Sequence, residues 1–144
     1  MPVIAPFVHV VDDDPSVARA LKRLLHAWGM RVRTFESGGA FLSALGNRQD
    51  VDCLVIDVQM PGMTGREVQE RMNRAGMDVP VIFITAHGDD GIEEDALKAG
   101  AAGFLRKPFT EEALVGLIRK VLGQRRKSPE GAGGNSGEKT GNQS

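Results

Sequence analysis

The sequence has one cysteine, no long apolar run and almost no excess charge, and each shortage removes a class of function. Cys53 alone cannot close an internal disulfide, which fits a reducing compartment. It lies in the apolar run Val51–Ile56, where a lone cysteine serves as a small core residue rather than a nucleophile. The formal net charge is -1, so bulk electrostatics select neither nucleic acid nor an anionic membrane as partner. Any functional charge must be local. No stretch is long enough to span a bilayer. The opening MPVIAPFVHVV lacks a basic n-region and runs straight into aspartates, unlike a signal peptide, so a cytoplasmic location is expected.

What is present is an ordinary globular balance: 144 residues, 41% apolar and 26% charged, enough for one domain with a real core. Short apolar runs at Phe7–Val11, Met30–Phe35, Val51–Ile56, Val79–Ile84 and Ala102–Leu105 alternate with segments of helical period. All but the second are nearly continuous in apolar character, as suits parallel strands covered on both faces. Asp14-Pro15 reads as an N-cap followed by proline at the first helical position. Val17, Ala20, Leu21, Leu24, Leu25 and Trp28 then form one apolar stripe, closed by Gly29. Ser37 opens a shorter helix with Phe41, Leu42 and Leu45 inward, and Thr64-Gly65-Arg66-Glu67 is a capping box for a third. A fourth spans about 90–99 and stops at Gly100. A fifth starts at Thr110, carries Leu114, Leu117, Ile118, Val121 and Leu122, and is expected to end at Gly123.

This strict alternation predicts an α/β fold, a (βα)5 doubly wound sheet of five parallel strands. Order 2-1-3-4-5, the flavodoxin-like arrangement, is one common form of this type and is the one expected. The domain is expected to occupy residues 1–123. Residues 124–144 hold five glycines and one apolar side chain, Ala132, and are expected to form a flexible polar tail or linker.

In such a sheet, ligands bind beyond the carboxyl ends of the strands. Strand 1 ends in Asp12, Asp13 and Asp14, strand 3 in Asp57, strand 4 in Thr85, and strand 5 in Arg106, Lys107 and Pro108. Clustered carboxylates repel one another and persist by sharing protons or by binding a hard cation. Mg²⁺, which takes a few carboxylate oxygens together with water and phosphate oxygens, suits such a pocket. With the Thr85 hydroxyl and the Lys107 ammonium, the set describes a place for a phosphoryl group, and a carboxylate can attack phosphorus directly. Taken singly, Asp14 is a helix cap, Asp57 before Gln59-Met60-Pro61-Gly62 could be a turn residue, and Thr85 could simply end a strand. Their coincidence at one sheet edge favours the joint reading.

The segments VVDDD (10–14), VIDVQMPGMTG (55–65), VIFITAH (81–87) and ALKAGAAGFLRKPF (96–109) resemble the response-regulator receiver domain of two-component signalling, over about residues 5–123. The wording HVVDDD and ITAHGD is closest to the FixJ-like subgroup. The resemblance implies that Asp57 is the phosphoacceptor, served by a sensor histidine kinase or a histidine phosphotransfer protein. It implies that Asp12, Asp13, Asp57 and the backbone carbonyl of Gln59 hold Mg²⁺, that Lys107 and Thr85 contact the phosphoryl group, and that Lys107–Pro108 is cis. It also implies a switch through Thr85 and the strand-5 aromatic, Phe104, that alters the α4–β5–α5 face for protein partners or a homodimer. Phe104 stands where tyrosine is common, so inward packing is kept without a hydroxyl. Gln59 and His87 flank the path of a hydrolytic water and are expected to tune the lifetime of the phosphoaspartate; His87 reads equally well as an exposed loop residue.

The expected role is a signalling switch that phosphorylates and slowly dephosphorylates itself without turning over an external substrate. A phosphorelay intermediate or phosphate sink would use the same chemistry. A haloacid-dehalogenase-type hydrolase would want an aspartate where Gln59 stands, and a flavin carrier would not place aspartates after strand 1. No DNA-binding pattern follows residue 123, so the chain is expected either to act alone or to lead into a linker, with no nucleic acid contacted by this piece.

Overall fold

The computed structural model describes residues 5–45, 51–86 and 90–131. The elements run β1 (Phe7–Val11), α1 (Pro15–Ala27), β2 (Arg31–Phe35), α2 (Gly38–Leu45), β3 (Cys53–Asp57), α3 (Gly65–Arg74), β4 (Val81–Thr85), α4 (Asp90–Lys98), β5 (Gly103–Arg106) and α5 (Glu111–Gly131). The strands form one parallel sheet in order β2-β1-β3-β4-β5. The doubly wound (βα)5 architecture is therefore as the residue pattern predicts.

Alternate residues of each strand feed one of two cores, because side chains of a strand point to opposite faces. Val11, Phe35, Leu54, Ile56, Val81 and Phe83 pack with α2 and α3 residues Phe41, Leu45, Val68 and Met72. Val8, Val10, Cys53, Val55, Ile82 and Ile84 pack with Leu21 and Leu25 of α1 and Leu114 and Ile118 of α5. The central strands are buried on both faces, which is why their sequences do not alternate. Strand β2 lies at an edge and does alternate, with exposed Arg31 and Arg33 reaching over the rings of Phe7 and Phe35. Such charged residues protect an open edge from pairing with another chain.

The helix signals act through the expected atoms. Asp14 caps α1 by accepting from the Ser16 N–H, and Thr64 and Glu67 form the reciprocal capping box of α3. Two details differ from the sequence pattern. On α1, Ala18 is buried and Ala20 is exposed, so the stripe turns slightly from the predicted line. Helix α5 does not stop at Gly123 but continues to Gly131, the last described residue. Gly29, Gly76 and Gly100 follow their helices with φ of 87°, 71° and 102°, the left-handed conformation that ends a helix. Gly123 is not among the positive-φ glycines, so nothing in its backbone stops α5 there. The expected tail at 124–144 thus begins inside a helix, and residues 132–144 lie outside the described residues.

One contact was not foreseen. Gln69 of α3 is 2% exposed and donates from Nε2 to the Ala96 carbonyl at 3.2 Å, while Asn73 donates to the Ala99 carbonyl at 3.0 Å. Gln69 also accepts from Arg66. Side chains one turn apart on α3 therefore serve the carbonyls at the C-terminal end of α4, which no helical N–H can reach. Gln69→Met keeps the volume and removes the hydrogen bonds. Because Ala101 N–H also donates to the Ala96 carbonyl, the expected loss is only about 1 kcal/mol in urea denaturation.

Candidate functional site

The carboxyl edge of the sheet collects charge because β1 and β3 are neighbours. Val11 of β1 pairs in register with Ile56 of β3, so the residues that follow them, Asp12 and Asp57, leave the sheet side by side. Each of Asp12, Asp13 and Asp57 offers a carboxylate oxygen lying within 4.8 Å of the other two. They differ in environment: Asp12 is buried, Asp57 half-buried and Asp13 exposed. Asp13 also borders a cleft of 590 Å³, lined further by Glu36, Ser37 and Pro61.

Local backbone geometry aims these groups. The Asp14 N–H donates to Asp12 Oδ1 at 2.9 Å and the Gln59 N–H donates to Asp57 Oδ1 at 3.0 Å. Both are side-chain-to-backbone bonds two residues ahead, the Asx geometry that turns a chain out of a strand. Asp57 thus does serve as the turn residue that its sequence context allows, while its carboxylate still joins the acidic cluster. The β3–α3 loop then closes where the Gly65 N–H donates to the Val58 carbonyl at 3.0 Å.

The cationic and hydroxyl partners arrive from β4 and β5. Lys107 donates its backbone N–H to the Thr85 carbonyl at 2.8 Å, tying the two strand ends together. Its Nζ lies 3.9 Å from Asp12 Oδ2. The Lys107–Pro108 peptide is cis. Thr85 is fully buried. Phe104 is half-buried, its ring centroid 6.4 Å from that of Phe83, and the Arg106 guanidinium sits over it at 5.9 Å. Arg106 also pairs with Glu93 of α4 at 2.8 Å, a contact the sequence reading did not single out. Gln59 is exposed, beside the acidic cluster, and His87 lies outside the described residues.

Burial raises the pKa of Asp12 above its ordinary 3.8, and the charges of Asp57 and Asp13 push the same way. The Asp14 N–H and Lys107 oppose them. Burial is the largest of these effects, and together with the two like charges it outweighs the Asp14 N–H and Lys107. Oxygen donors from three carboxylates in that state are the donor set a hard divalent cation takes.

The family model described as the response regulator receiver domain matches residues 8–119, which include every element of this site. The chain belongs to that family. Receiver domains are signalling switches whose general function is phosphorylation-controlled signalling. The chain is 44% identical over 115 residues to the response regulator protein TmoT of Ectopseudomonas mendocina, covering 80% of this chain and 52% of that protein. It is 43% identical over 124 residues to the transcriptional regulatory protein FixJ of Azorhizobium caulinodans, covering 86% and 58%. The chain thus spans about half the length of the curated relatives it matches. Among solved structures, a response regulator receiver protein from Burkholderia phymatum is 52% identical, with a TM-score of 0.73 over 82% of this chain and 95% of that one. The structure titled FixJ-N gives a TM-score of 0.78 at 32% identity, over 84% and 96%. Among the described residues, no helix is long and apolar enough to cross a membrane.

Proposed function

We propose that this receiver domain accepts a phosphoryl group on Asp57 from a phosphohistidine of a sensor kinase or phosphotransfer protein. A carboxylate oxygen of Asp57 forms the new P–O bond while the P–N bond of the donor breaks, and the imidazole leaves with the electron pair. Asp12, Asp13, Asp57 and the Gln59 carbonyl would hold Mg²⁺, which when bound supplies positive charge against the phosphoryl oxygens. Lys107 neutralises the same oxygens from β5, and positioning rather than covalent assistance does the rest. The observation that carries this reading is the grouping of the three carboxylates within 4.8 Å beside the Lys107 ammonium.

The consequence is a two-state switch. Thr85, buried at the end of β4, binds the phosphoryl group, and the half-buried Phe104 packs further inward behind it. That shift disturbs the Phe104–Arg106–Glu93 stack on α4 and β5, and so alters the surface offered to a protein partner or a second copy. Gln59 and His87, two residues after Asp57 and Thr85 in the sequence, tune how long the phosphate stays. The domain turns over no external substrate.

The test is intact-mass analysis after incubation with acetyl phosphate. Wild type is expected to gain one phosphate only when Mg²⁺ is present, and Asp57→Asn to gain none. An adduct that persists in Asp57→Asn, or none in wild type, would sink the proposal. Gel filtration with and without beryllofluoride then reads whether the activated domain pairs with itself.

A further inference from the structure

We infer that Gly65 is a positioning residue for phosphoryl acceptance, because α3 can close against the phosphoacceptor strand only where no side chain intervenes. The inference rests on the reading of Asp57 given above. A Cβ built on Gly65 would lie 2.6 Å from the carbonyl oxygen of Asp57, 3.0 Å from Phe83 Cε1 and 3.1 Å from Val58 Cα. The first distance is shorter than real Cβ contacts, and the atom met is backbone rather than the movable tip of a side chain.

Backbone freedom does not account for this glycine. Gly65 is the first residue of α3 and is absent from the positive-φ glycines, so any L-residue could adopt its conformation. What requires glycine is close approach. The Gly65 N–H reaches the Val58 carbonyl at 3.0 Å and closes the loop from Val58 to Thr64. The same loop carries the Gln59 N–H, which fixes Asp57 Oδ1 at 3.0 Å. It also carries the Gln59 carbonyl proposed as a metal ligand. A methyl at position 65 pushes on the Asp57–Val58 peptide from behind. The peptide tilts, and the Gln59 N–H and carbonyl move relative to the Asp57 carboxylate. Gly65 therefore sets the cage without touching the phosphoryl group.

Gly103 supplies a comparison that is nearly as crowded and has a different consequence. The three atoms nearest to a Cβ there all belong to the Leu117 side chain, at 2.9–3.1 Å, and a rotamer change relieves them. Gly103 begins β5, at the end of the sheet opposite the acidic site.

The experiment follows phosphate incorporation from acetyl phosphate by intact mass over a Mg²⁺ series, for wild type, Gly65→Ala and Gly103→Ala, with thermal melts in the same buffers. Gly65→Ala is expected to raise the half-saturating Mg²⁺ concentration at least tenfold and to lower the saturating rate. Gly103→Ala should keep wild-type Mg²⁺ dependence within about twofold although its melting temperature also falls. The double variant Gly65→Ala/Phe83→Leu removes the ring contact and leaves the carbonyl collision. It should be better accommodated yet still need the higher Mg²⁺. Wild-type Mg²⁺ dependence in folded Gly65→Ala, or its return in the double variant, would overturn the inference while leaving Asp57 as acceptor. A wild type that takes no phosphate would instead remove the reading beneath it.

Discussion

Phe83→Ala is expected to cost about 3–5 kcal/mol of unfolding free energy, the range for deleting a fully buried aromatic ring. Phe83 is 0% exposed at the centre of β4, between Ile56 of β3 and Phe104 of β5 in the strand registers. Its ring closes the core beneath α3 and touches the space beside Gly65. That cavity cannot collapse readily, because the sheet fixes one wall and the α3 capping box fixes the other. Domains of this size are stable by only about 5–15 kcal/mol, so the variant sits near the edge of folding. A drop of roughly 10–20 °C in melting temperature is the matching thermal result. Phe83→Leu should lose less than half as much, since the branched side chain refills most of the volume. A loss below about 1 kcal/mol in urea denaturation of Phe83→Ala would show that the ring is not the keystone its burial suggests.

The same residue shows how far sequence could go. Phe83 lies in VIFIT, an unbroken apolar run, and such runs identify strands covered on both faces. Four of the five strands were legible for that reason; β2 is an alternating edge strand, and the strand order and the charged edge followed from the common doubly wound arrangement. Boundaries were less so. The apolar runs open at Met30, Val51, Val79 and Ala102, whereas the strands open at Arg31, Cys53, Val81 and Gly103. Apolar character marks burial, while a strand starts where its backbone ladder does. Gly123 misled for a related reason. A glycine ends a helix by adopting positive φ, and the letter alone does not say whether it does.

At the site, residue identities were legible and their differences were not. Asp14 was legible as the cap of α1, but nothing in DDD says that Asp12 is buried and Asp13 exposed. Which is which depends on how the β1–α1 turn meets β3 and β5. The packing partners that lie far apart in sequence stayed invisible: Gln69 against Ala96, Arg106 with Glu93, and Trp28 Nε1 donating to Glu111 at 3.2 Å. None has a local pattern, since each looks like an ordinary polar residue on a helix or at a strand end. Gly65 ends the segment VIDVQMPGMTG, and the tight strand-turn-helix spacing was its only clue.

Asp12→Asn is expected to raise the stability of the metal-free domain at neutral pH and to abolish its response to Mg²⁺. Asp12 is 4% exposed, and burial, Asp57 and Asp13 together hold its pKa above the ordinary value. The folded state therefore keeps the proton more tightly than the unfolded state does. Stability from this group is fully present below the unfolded pKa of 3.8 and is lost as pH rises through the raised folded value. Above that folded value the metal-free protein carries an ionised, buried carboxylate beside two others. An asparagine removes that charge while its carbonyl can still accept from the Asp14 N–H, for a gain on the order of 1–2 kcal/mol. Lys107 loses its partner at little cost, because its side chain is 28% exposed and reaches water. Mg²⁺ reverses the order. A cation bound at a hundred times its Kd adds about 2.7 kcal/mol to the wild type and should add almost nothing to the variant. Thermal melts of both proteins with and without Mg²⁺, at pH 7 and near pH 4, measure each term. The metal-free gap should narrow at the lower pH as Asp12 takes up its proton. A variant that melts below wild type without metal, or keeps the full Mg²⁺ shift, would mean that Asp12 is neither the strained charge nor a ligand.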